Sequence, residues 1–223
     1  MLIEIWSDVV CPWCYIGKRR FEHGLDAFRQ AGGDADVEVV WRSFQLNPDQ
    51  PRGAVTTLEA SLIAKTSGSA EQVRAMNQHV TELAAAEGLD YHLDRYRVVN
   101  TFDAHRVLQM AKANGLGTAA HERLLHAQLV DGELLEDLAT LVRLAGEIGL
   151  DPGEAADMLA GDDFQSDVMA DLRDAAELGI SAVPFFVFNR TSGVAGAQPA
   201  AVFTQVLTQV AEDAALTAQA AGA

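Results

Sequence analysis

The sequence contains two cysteines, and both lie in the segment Cys11-Pro12-Trp13-Cys14. At the first turn of a helix, this spacing brings both sulfur atoms to one side, where they can close a small disulfide ring. The free N–H groups and the positive end of the dipole at a helix N-terminus stabilise a thiolate. A thiolate is both the nucleophile and the leaving group of thiol–disulfide exchange. The segment therefore predicts redox chemistry, with Cys11 as the attacking sulfur.

Two other roles of a cysteine pair fit the chain less well. A tetrahedral zinc site needs two more ligands, but there is no second cysteine pair and the six histidines form no HxxxH motif. A structural disulfide across so short a loop would restrict the unfolded chain little, and such disulfides belong to oxidising compartments. Met1 leads directly into an apolar segment, without the basic region of a secretory signal. We therefore expect a cytoplasmic protein without a metal site.

The charge and hydropathy of the chain restrict its partners. The formal net charge is −16 at pH 7, with 16 Lys and Arg against 32 Asp and Glu. Nucleic-acid binding requires a basic surface, so this composition argues against a nucleic-acid partner. No apolar run approaches the ~20 residues that cross a bilayer, so we expect no membrane partner.

The cysteines lie between elements of alternating type. The segment Leu2–Trp6 has the composition of a strand, and Pro12 fits the first position of the helix that follows. Within that helix, Cys14 shares a face with the apolar side chains. Cys14 should therefore point inward, while Cys11 is left at the exposed helix end. A second strand over 37–44 is apolar on both faces, which is typical of a parallel βαβ unit.

Beyond residue 54 the composition becomes helical, rich in Ala, Leu, Glu and Asp. The patterns predict helices over 57–66, 70–87, 101–114, 118–131, 136–149, 153–160 and 163–178, with a cap at Thr101 among others. Strand patterns return at 183–188 and 193–196, and a last helix follows over 199–211. We predict an α/β thioredoxin-like fold, a mixed sheet with flanking helices and an inserted all-helical subdomain. The thioredoxin-like domain is predicted to consist of residues 1–54 and 179–223, and the insertion of residues 55–178. The last helix of the insertion, about 163–178, leads back to the sheet.

Five stretches carry a resemblance to a known family: 7–18, 44–48, 100–106, 179–186 and 196–199. On these residues the chain resembles the DsbA-like disulfide oxidoreductases of the thioredoxin superfamily, in particular the cytosolic FrnE-type branch. The resemblance implies a cis peptide bond between Val183 and Pro184, facing the cysteines. Pro184 would shield the dithiol from metals, and the backbone of Val183 would bind an extended substrate by strand addition. From the residues alone, Pro184 also fits an ordinary proline at a strand edge.

Four further residues are candidates for substrate contact. Pro12 and Trp13 lie between the cysteines, where they should tune the thiolate, and the Trp13 ring should form part of the contact surface beside Cys11. Asn100 and His105 have two interpretations. A helix starting near residue 100 can direct them toward the dithiol cleft, to bind substrate or to hold a buffering charge. Alternatively, Asn100 caps that helix and His105 is a satisfied, half-buried side chain.

Three functions are compatible with these residues. The favoured one is a protein disulfide oxidoreductase or isomerase that attacks with Cys11, resolves with Cys14 and needs no cofactor beyond this redox-active pair. Its partners would be protein or small-molecule thiols and disulfides, with glutathione as a co-substrate. The second resembles the 2-hydroxychromene-2-carboxylate isomerases and kappa-class glutathione transferases, which typically have serine at the position of Cys11. The third is a redox-responsive binding module. The direction of electron flow and homodimer formation are left open.

Overall fold

The computed structural model describes residues 1–66 and 68–221; position 67 of the predicted insertion and positions 222–223 of the predicted C-terminal segment lie outside the described residues. The strands are β1 (Leu2–Ser7), β2 (Glu38–Ser43), β3 (Thr56–Thr57), β4 (Arg97–Val98), β5 (Phe185–Phe188) and β6 (Ser192–Ala195). The α-helices are α1 (Pro12–Gln30), α2 (Leu58–Thr66), α3 (Ala70–Ala86), α4 (Phe102–Ala113), α5 (Gly117–His126), α6 (Leu138–Ile148), α7 (Pro152–Ala160), α8 (Gln165–Glu177) and α9 (Ala200–Ala221). A short π-helix, Ala127–Asp131, continues α5.

Four of the strands form one mixed sheet in the order β2-β1-β5-β6. β1 runs parallel to β2, with Ile5 opposite Trp41, and antiparallel to β5, with Ile5 opposite Phe186. β6 returns antiparallel to β5. α1 connects the parallel pair, as the pattern of the second strand predicts. The mixed sheet with its flanking helices confirms the predicted thioredoxin-like fold.

One face of the sheet is covered by α1 and α9. Alternate side chains of a strand point to the same face, so Ile3 and Ile5 of β1 are buried together there, against Phe203 of α9. The two helices approach closely at Gly24, where an added Cβ would lie 2.6 Å from the Cβ of Phe203. This close packing fixes the direction of α1, the helix that carries the cysteines.

The inserted helices cover the opposite face. Trp6 of β1 points toward them, and its Nε1 donates to the backbone oxygen of Asp171 in α8 (3.1 Å). The buried Asp171 carboxylate accepts from the backbone N–H of Ser43 (2.9 Å) and from the amide of Gln109, and it pairs with Arg42 (2.9 Å). These bonds tie α4 and α8 to the edge strand β2. The apolar side chains on this face form one continuous cluster that includes both cysteines.

A cluster of charges also fastens α1 to α5. The carboxylate of Glu122 accepts from the Tyr15 hydroxyl (2.5 Å), from the Lys18 ammonium (2.6 Å) and from the Arg19 guanidinium. Lys18 is almost fully buried. Hydrogen bonds from the two cations outweigh the effect of burial and lower the pKa of Glu122 to about 2. The insertion is therefore bonded directly to the first turns of the dithiol helix.

Some local details differ from the sequence predictions. β3 and β4 pair antiparallel within the segment predicted to be helical, because two-residue strands carry no periodicity that a pattern can detect. The end of the predicted helix 118–131 is the π-helix. α9 continues to Ala221 instead of ending at residue 211, since alanine favours the helix without needing a packing partner. Among the described helices, none is both long and apolar enough to cross a bilayer.

Candidate functional site around the dithiol

The two cysteines lie where β1 passes into α1. After β1 ends at Ser7, the backbone N–H of Cys11 donates to the backbone oxygen of Asp8 (3.0 Å), and Cys11 becomes the N-cap residue with extended backbone angles (φ −89°, ψ 112°). Pro12 takes the first helical position, where its missing N–H costs no hydrogen bond. The backbone N–H of Cys14 donates to the Cys11 oxygen (3.0 Å). Neither cysteine is in a disulfide, so this is the dithiol form.

Cys11 is more buried than the sequence predicts. Its exposed fraction is 4%, and that of Cys14 is 1%, so the expected exposure of Cys11 is wrong. The cause is the segment before β5. The Cys11 thiol donates to the backbone oxygen of Val183, with 3.6 Å between sulfur and oxygen. The exposed member of the motif is instead Trp13, at 38%.

The Val183–Pro184 peptide bond is cis, as the resemblance implies. Pro184 packs against α1 at Gly17, where an added Cβ would lie 2.8 Å from the Cγ of Pro184. No side chain fits at that distance, so glycine at this position lets the loop and the helix approach. The Pro184 oxygen also accepts from the backbone N–H of Gly196, which directly follows β6 (2.8 Å). These contacts place the Val183 carbonyl against Cys11.

Cys14 lies one turn into α1, away from solvent. Burial raises its pKa well above the ordinary value, and the neighbouring Cys11 sulfur raises it further. The Ser7 hydroxyl and the backbone of Asp8 are hydrogen-bonding groups beside the sulfur, and they act in the opposite direction. The Ser7 hydroxyl has no partner of ordinary hydrogen-bond geometry among the described residues. Because burial dominates, Cys14 is held as a neutral thiol.

Two tyrosines between α3 and α4 hold the backbone of the dithiol turn. The hydroxyl of Tyr91 donates to the Pro12 oxygen (2.7 Å), and that of Tyr96 donates to the Val10 oxygen. Both rings are buried, and this burial raises the pKa of each hydroxyl. Both tyrosines therefore stay protonated and serve as hydrogen-bond donors.

A cavity of about 170 Å³ opens beside the turn. Its walls come from the turn itself, from the loop after β2, from α2 and from the segment before α4. They include Asp8, Pro12, Leu46, Leu58, Leu62 and Tyr96. Of the predicted substrate-contact residues, Pro12 lines this cavity. Leu46 is also largely exposed, so apolar surface continues from the cavity to the outside.

Asn100 lies one residue before the N-cap of α4, and its side chain supplies a hydrogen bond to the helix N-terminus. Its Oδ1 accepts from the backbone N–H of Phe102 (2.9 Å), and its Nδ2 donates to the backbone oxygen of Gln50 (2.7 Å). Thr101 occupies the N-cap position, as predicted, but its side chain makes no capping bond. Asn100 therefore anchors a loop to a helix, and both ends of its amide are engaged in that task.

His105 is fully buried, and not half-buried as the second interpretation predicts. Its Nε2 lies 3.3 Å from Oδ1 of Asp8, while its Nδ1 has no partner among the described residues. The other carboxylate oxygen of Asp8 accepts from the backbone N–H of Leu46 (2.8 Å). Since the Asp8 backbone also accepts from Cys11, His105 is connected to the dithiol turn through Asp8.

A family model of the DsbA-like thioredoxin domain matches residues 2–208. The chain belongs to the DsbA-like thioredoxin domain family. The match covers the sheet, the insertion and α9 as far as residue 208, so the DsbA-like resemblance is confirmed over almost the whole chain. Membership of the FrnE-type branch within this family stays a prediction.

Several solved structures are similar to this DsbA-like domain. A probable DsbA oxidoreductase from Streptomyces coelicolor is 44% identical, with a TM-score of 0.89 over 94% of this chain and 89% of that one. The cytosolic disulfide reductase DsbM from Pseudomonas aeruginosa, solved with GSH, is 21% identical, with a TM-score of 0.65 over 94% and 99%. A 2-hydroxychromene-2-carboxylate isomerase is 13% identical, with a TM-score of 0.65 over 100% and 98%. The last two likenesses concern the fold alone.

The DsbA-like domain brings most of the predicted site residues to one end of α1: Cys11, Pro12, Trp13, Cys14, Val183 and Pro184. Within the described ranges, no group of three or more His, Cys, Asp and Glu side chains is arranged to hold a metal ion. Sequence reasoning missed Asp8, Gly17, Tyr91 and Tyr96. Asp8 directly follows a strand and precedes the motif, which is the one local signal that could have drawn attention to it.

Proposed function

We propose that this protein is a thiol–disulfide oxidoreductase in which Cys11 attacks and Cys14 resolves. The observation that carries the proposal is the unequal surroundings of the two sulfurs. Cys11 occupies the N-terminus of α1, where backbone N–H groups and the helix dipole favour a thiolate. Cys14 is buried behind it, and its raised pKa keeps it protonated until a substrate is attached. Two-step exchange requires an ionised thiolate for the first attack and a second thiol that stays protonated until the mixed disulfide has formed.

In the reducing direction, the exchange has two steps. The Cys11 thiolate attacks one sulfur of a substrate disulfide RS–SR′, forms a Cys11–SR bond and releases R′S⁻. Cys14 then loses its proton and attacks the Cys11 sulfur, which releases RS⁻ and leaves the Cys11–Cys14 disulfide. Two electrons pass from the dithiol to the substrate, and two protons end on the released thiols. The reverse sequence oxidises a substrate dithiol.

The substrate would lie along Val183. An extended segment can bond to the backbone there by strand addition, which tolerates many side chains. The exposed Trp13 ring and the apolar cavity beside Pro12 would contact the substrate side chains. The proposed partners are protein or small-molecule thiols and disulfides in the cytoplasm. Glutathione is a candidate co-substrate because the fold neighbour DsbM was solved with GSH.

Reduction of insulin by dithiothreitol tests this proposal. The wild-type protein should accelerate insulin precipitation, and Cys11→Ser should match the reaction without protein. Cys14→Ser should accumulate mixed disulfides, visible on a non-reducing gel, because the resolving thiol is missing. A wild-type protein that accelerates neither insulin reduction nor reduction of glutathione disulfide would contradict the proposed activity. A Cys14→Ser protein that traps no partner would contradict the assignment of the two sulfurs.

A glutathione-dependent isomerase or transferase is the second candidate. The observation in its favour is the fold shared along the whole chain with a 2-hydroxychromene-2-carboxylate isomerase. Enzymes of that type typically have serine where Cys11 stands, so a Cys11→Ser protein separates the two functions. Glutathione binding together with isomerase turnover in Cys11→Ser would favour this candidate. Loss of insulin reduction without such turnover would favour the oxidoreductase.

A further inference from the structure

The buried carboxylate of Asp8 takes no part in the exchange steps above. It follows β1 directly and lies three residues before Cys11. One oxygen accepts from the backbone N–H of Leu46, and the other lies 3.3 Å from Nε2 of His105. Within residues 1–66 and 68–221, His105 is the one basic side chain in contact with it, and no Lys or Arg is. A buried carboxylate without a strong cation needs an explanation, since burial of a charge is costly.

The hydrogen bonds of His105 indicate which charges are present. Its Nδ1 is buried without a partner in the described part of the chain. A doubly protonated ring would bury an N–H group that has no acceptor, which is costly. A neutral ring with its proton on Nε2 donates to Asp8 and leaves only a lone pair unpartnered. The Asp8–His105 pair then carries one negative charge, on the carboxylate.

This carboxylate lies near the dithiol. The Asp8 backbone is bonded to Cys11, and Asp8 lines the same cavity as Pro12 and Tyr96. Burial raises the pKa of Tyr96 and the Asp8 carboxylate raises it further, while the Tyr96 hydroxyl donates to the Val10 oxygen next to Cys11, so these groups share one neighbourhood. Water screens charges weakly in a buried site. Charge at Asp8 is therefore expected to act on a thiolate charge at Cys11.

We propose that Asp8 and His105 form a charge-setting pair, in which His105 holds a buried Asp8 carboxylate that disfavours the Cys11 thiolate and shifts the dithiol–disulfide equilibrium toward the disulfide. This inference rests on the proposed exchange function. Two glutathione molecules reduce the Cys11–Cys14 disulfide to the dithiol and become one glutathione disulfide. The reduced protein carries the thiolate charge and the oxidised protein does not, so a like charge nearby destabilises the reduced side only. The pair makes the dithiol a stronger reductant.

The other titratable groups around the pair do not change charge near neutral pH. The raised pKa of Tyr96 keeps its hydroxyl protonated, and the raised pKa of Cys14 keeps its thiol protonated. Burial lowers the pKa of the neighbouring His121 of α5, so His121 is neutral. Asp8 is therefore the charge that a substitution can remove.

The test compares Asp8→Asn with His105→Gln in glutathione redox buffers at neutral pH. Asp8→Asn removes the charge and keeps an oxygen acceptor for Leu46. Its amide donates to His105 only if the ring proton moves to Nδ1, which has no acceptor among the described residues, so a loss of stability is expected beside the redox shift. We expect its equilibrium constant to shift toward the dithiol by about tenfold, or ~30 mV for this two-electron couple. The rate of Cys11 alkylation by iodoacetamide should rise with it. His105→Gln keeps both the carboxylate and a donor to it, so it should stay within about twofold of wild type.

An Asp8→Asn protein with the wild-type equilibrium constant would overturn the inference. An equal shift in His105→Gln would also overturn it, because a purely structural role predicts the same effect from both substitutions. Circular dichroism checks that each variant folds. If Asp8→Asn does not fold, Asp8→Ser removes the same charge, keeps an oxygen acceptor and should shift the equilibrium in the same direction. The equilibrium constant is measurable whether or not insulin is a substrate, so failure of this inference and failure of the proposed function are distinct results.

Discussion

Replacing Gly17 with alanine tests how closely α1 must approach the Val183–Pro184 loop. The added Cβ would lie 2.8 Å from the Cγ of Pro184 and 3.5 Å from the Cα and Cβ of Ala197. Carbon atoms in favourable contact are ~3.5–4.0 Å apart, so the first distance is a clash. The proline ring cannot rotate away as a flexible side chain would. The loop must therefore move away from the helix.

Two effects on the free energy of unfolding oppose each other. Overpacking a filled site costs about 1–3 kcal/mol, while alanine gains up to ~1 kcal/mol over glycine inside a helix. We expect a net loss of about 1–2 kcal/mol, or a fall in Tm of about 2–8 °C for a chain of this size. The Val183 carbonyl moves with the loop relative to Cys11. Since misplacement by ~1 Å can cost ~10²-fold in rate, we expect insulin reduction to slow by at least about tenfold.

Thermal unfolding and insulin reduction are the two assays, and Gly117→Ala is the matched control. Gly117 also lies in a helix, but a Cβ there would have its nearest contact at 3.5 Å, from Lys112, which is an ordinary distance. The control should keep the wild-type Tm or exceed it slightly, and it should keep full activity. The reasoning is refuted if Gly17→Ala is as stable and as active as Gly117→Ala.

Three further outcomes are expected. Burial raises the pKa of Glu122, but hydrogen bonds from Arg19 and a neighbouring lysine outweigh this effect and lower the pKa from 4.5 to about 2. The stability that the ionised carboxylate contributes to the fold is therefore present above pH 4.5 and is lost as pH falls toward 2. Urea unfolding should show Glu122→Gln to be less stable by roughly 1 kcal/mol at neutral pH and equal at low pH, whereas a constant difference would contradict the pairing. Tyr91→Phe leaves the Pro12 oxygen without its donor, so the free energy of unfolding should fall by about 1 kcal/mol, measured as a lower Tm. An unchanged Tm would mean that this hydrogen bond does not stabilise the fold. The fluorescence emission of Trp13 should differ between the dithiol and disulfide forms. A redox titration without a change in emission would contradict the placement of its ring beside the sulfurs.

The features predicted correctly from the sequence are those with local signals. The CPWC turn, Pro12 at the first helical position and the inward direction of Cys14 all follow from spacing within one helix. Of the two interpretations of Asn100, the structural one could be drawn from the sequence because its bond to the helix N-terminus joins positions only two residues apart. The burial of Cys11 could not be predicted, since the carbonyl that covers it belongs to Val183, at the far end of the chain.

Contacts between distant segments explain the other missed residues. A tyrosine hydroxyl such as that of Tyr96 needs an acceptor, but its sequence neighbours do not indicate that the acceptor is the Val10 carbonyl. Glycine within a helical pattern indicates a less stable helix, and only the position of Pro184 explains why Gly17 must lack a side chain. Pairing of Asp8 with His105 likewise depends on how the insertion packs on the sheet.

The strand order has a consequence for synthesis of the protein on the ribosome. β1 can pair with β2 early, through Ile5 and Trp41, but its other neighbour, β5, is among the last segments to be translated. Non-local pairing of this kind is slow to form, and N-terminal segments emerge first. Until β5 docks, the Val183 carbonyl cannot cover Cys11, so this thiol stays open to oxidants throughout translation of the insertion. Synthesis in a reducing compartment would keep this thiol reduced until the fold is complete.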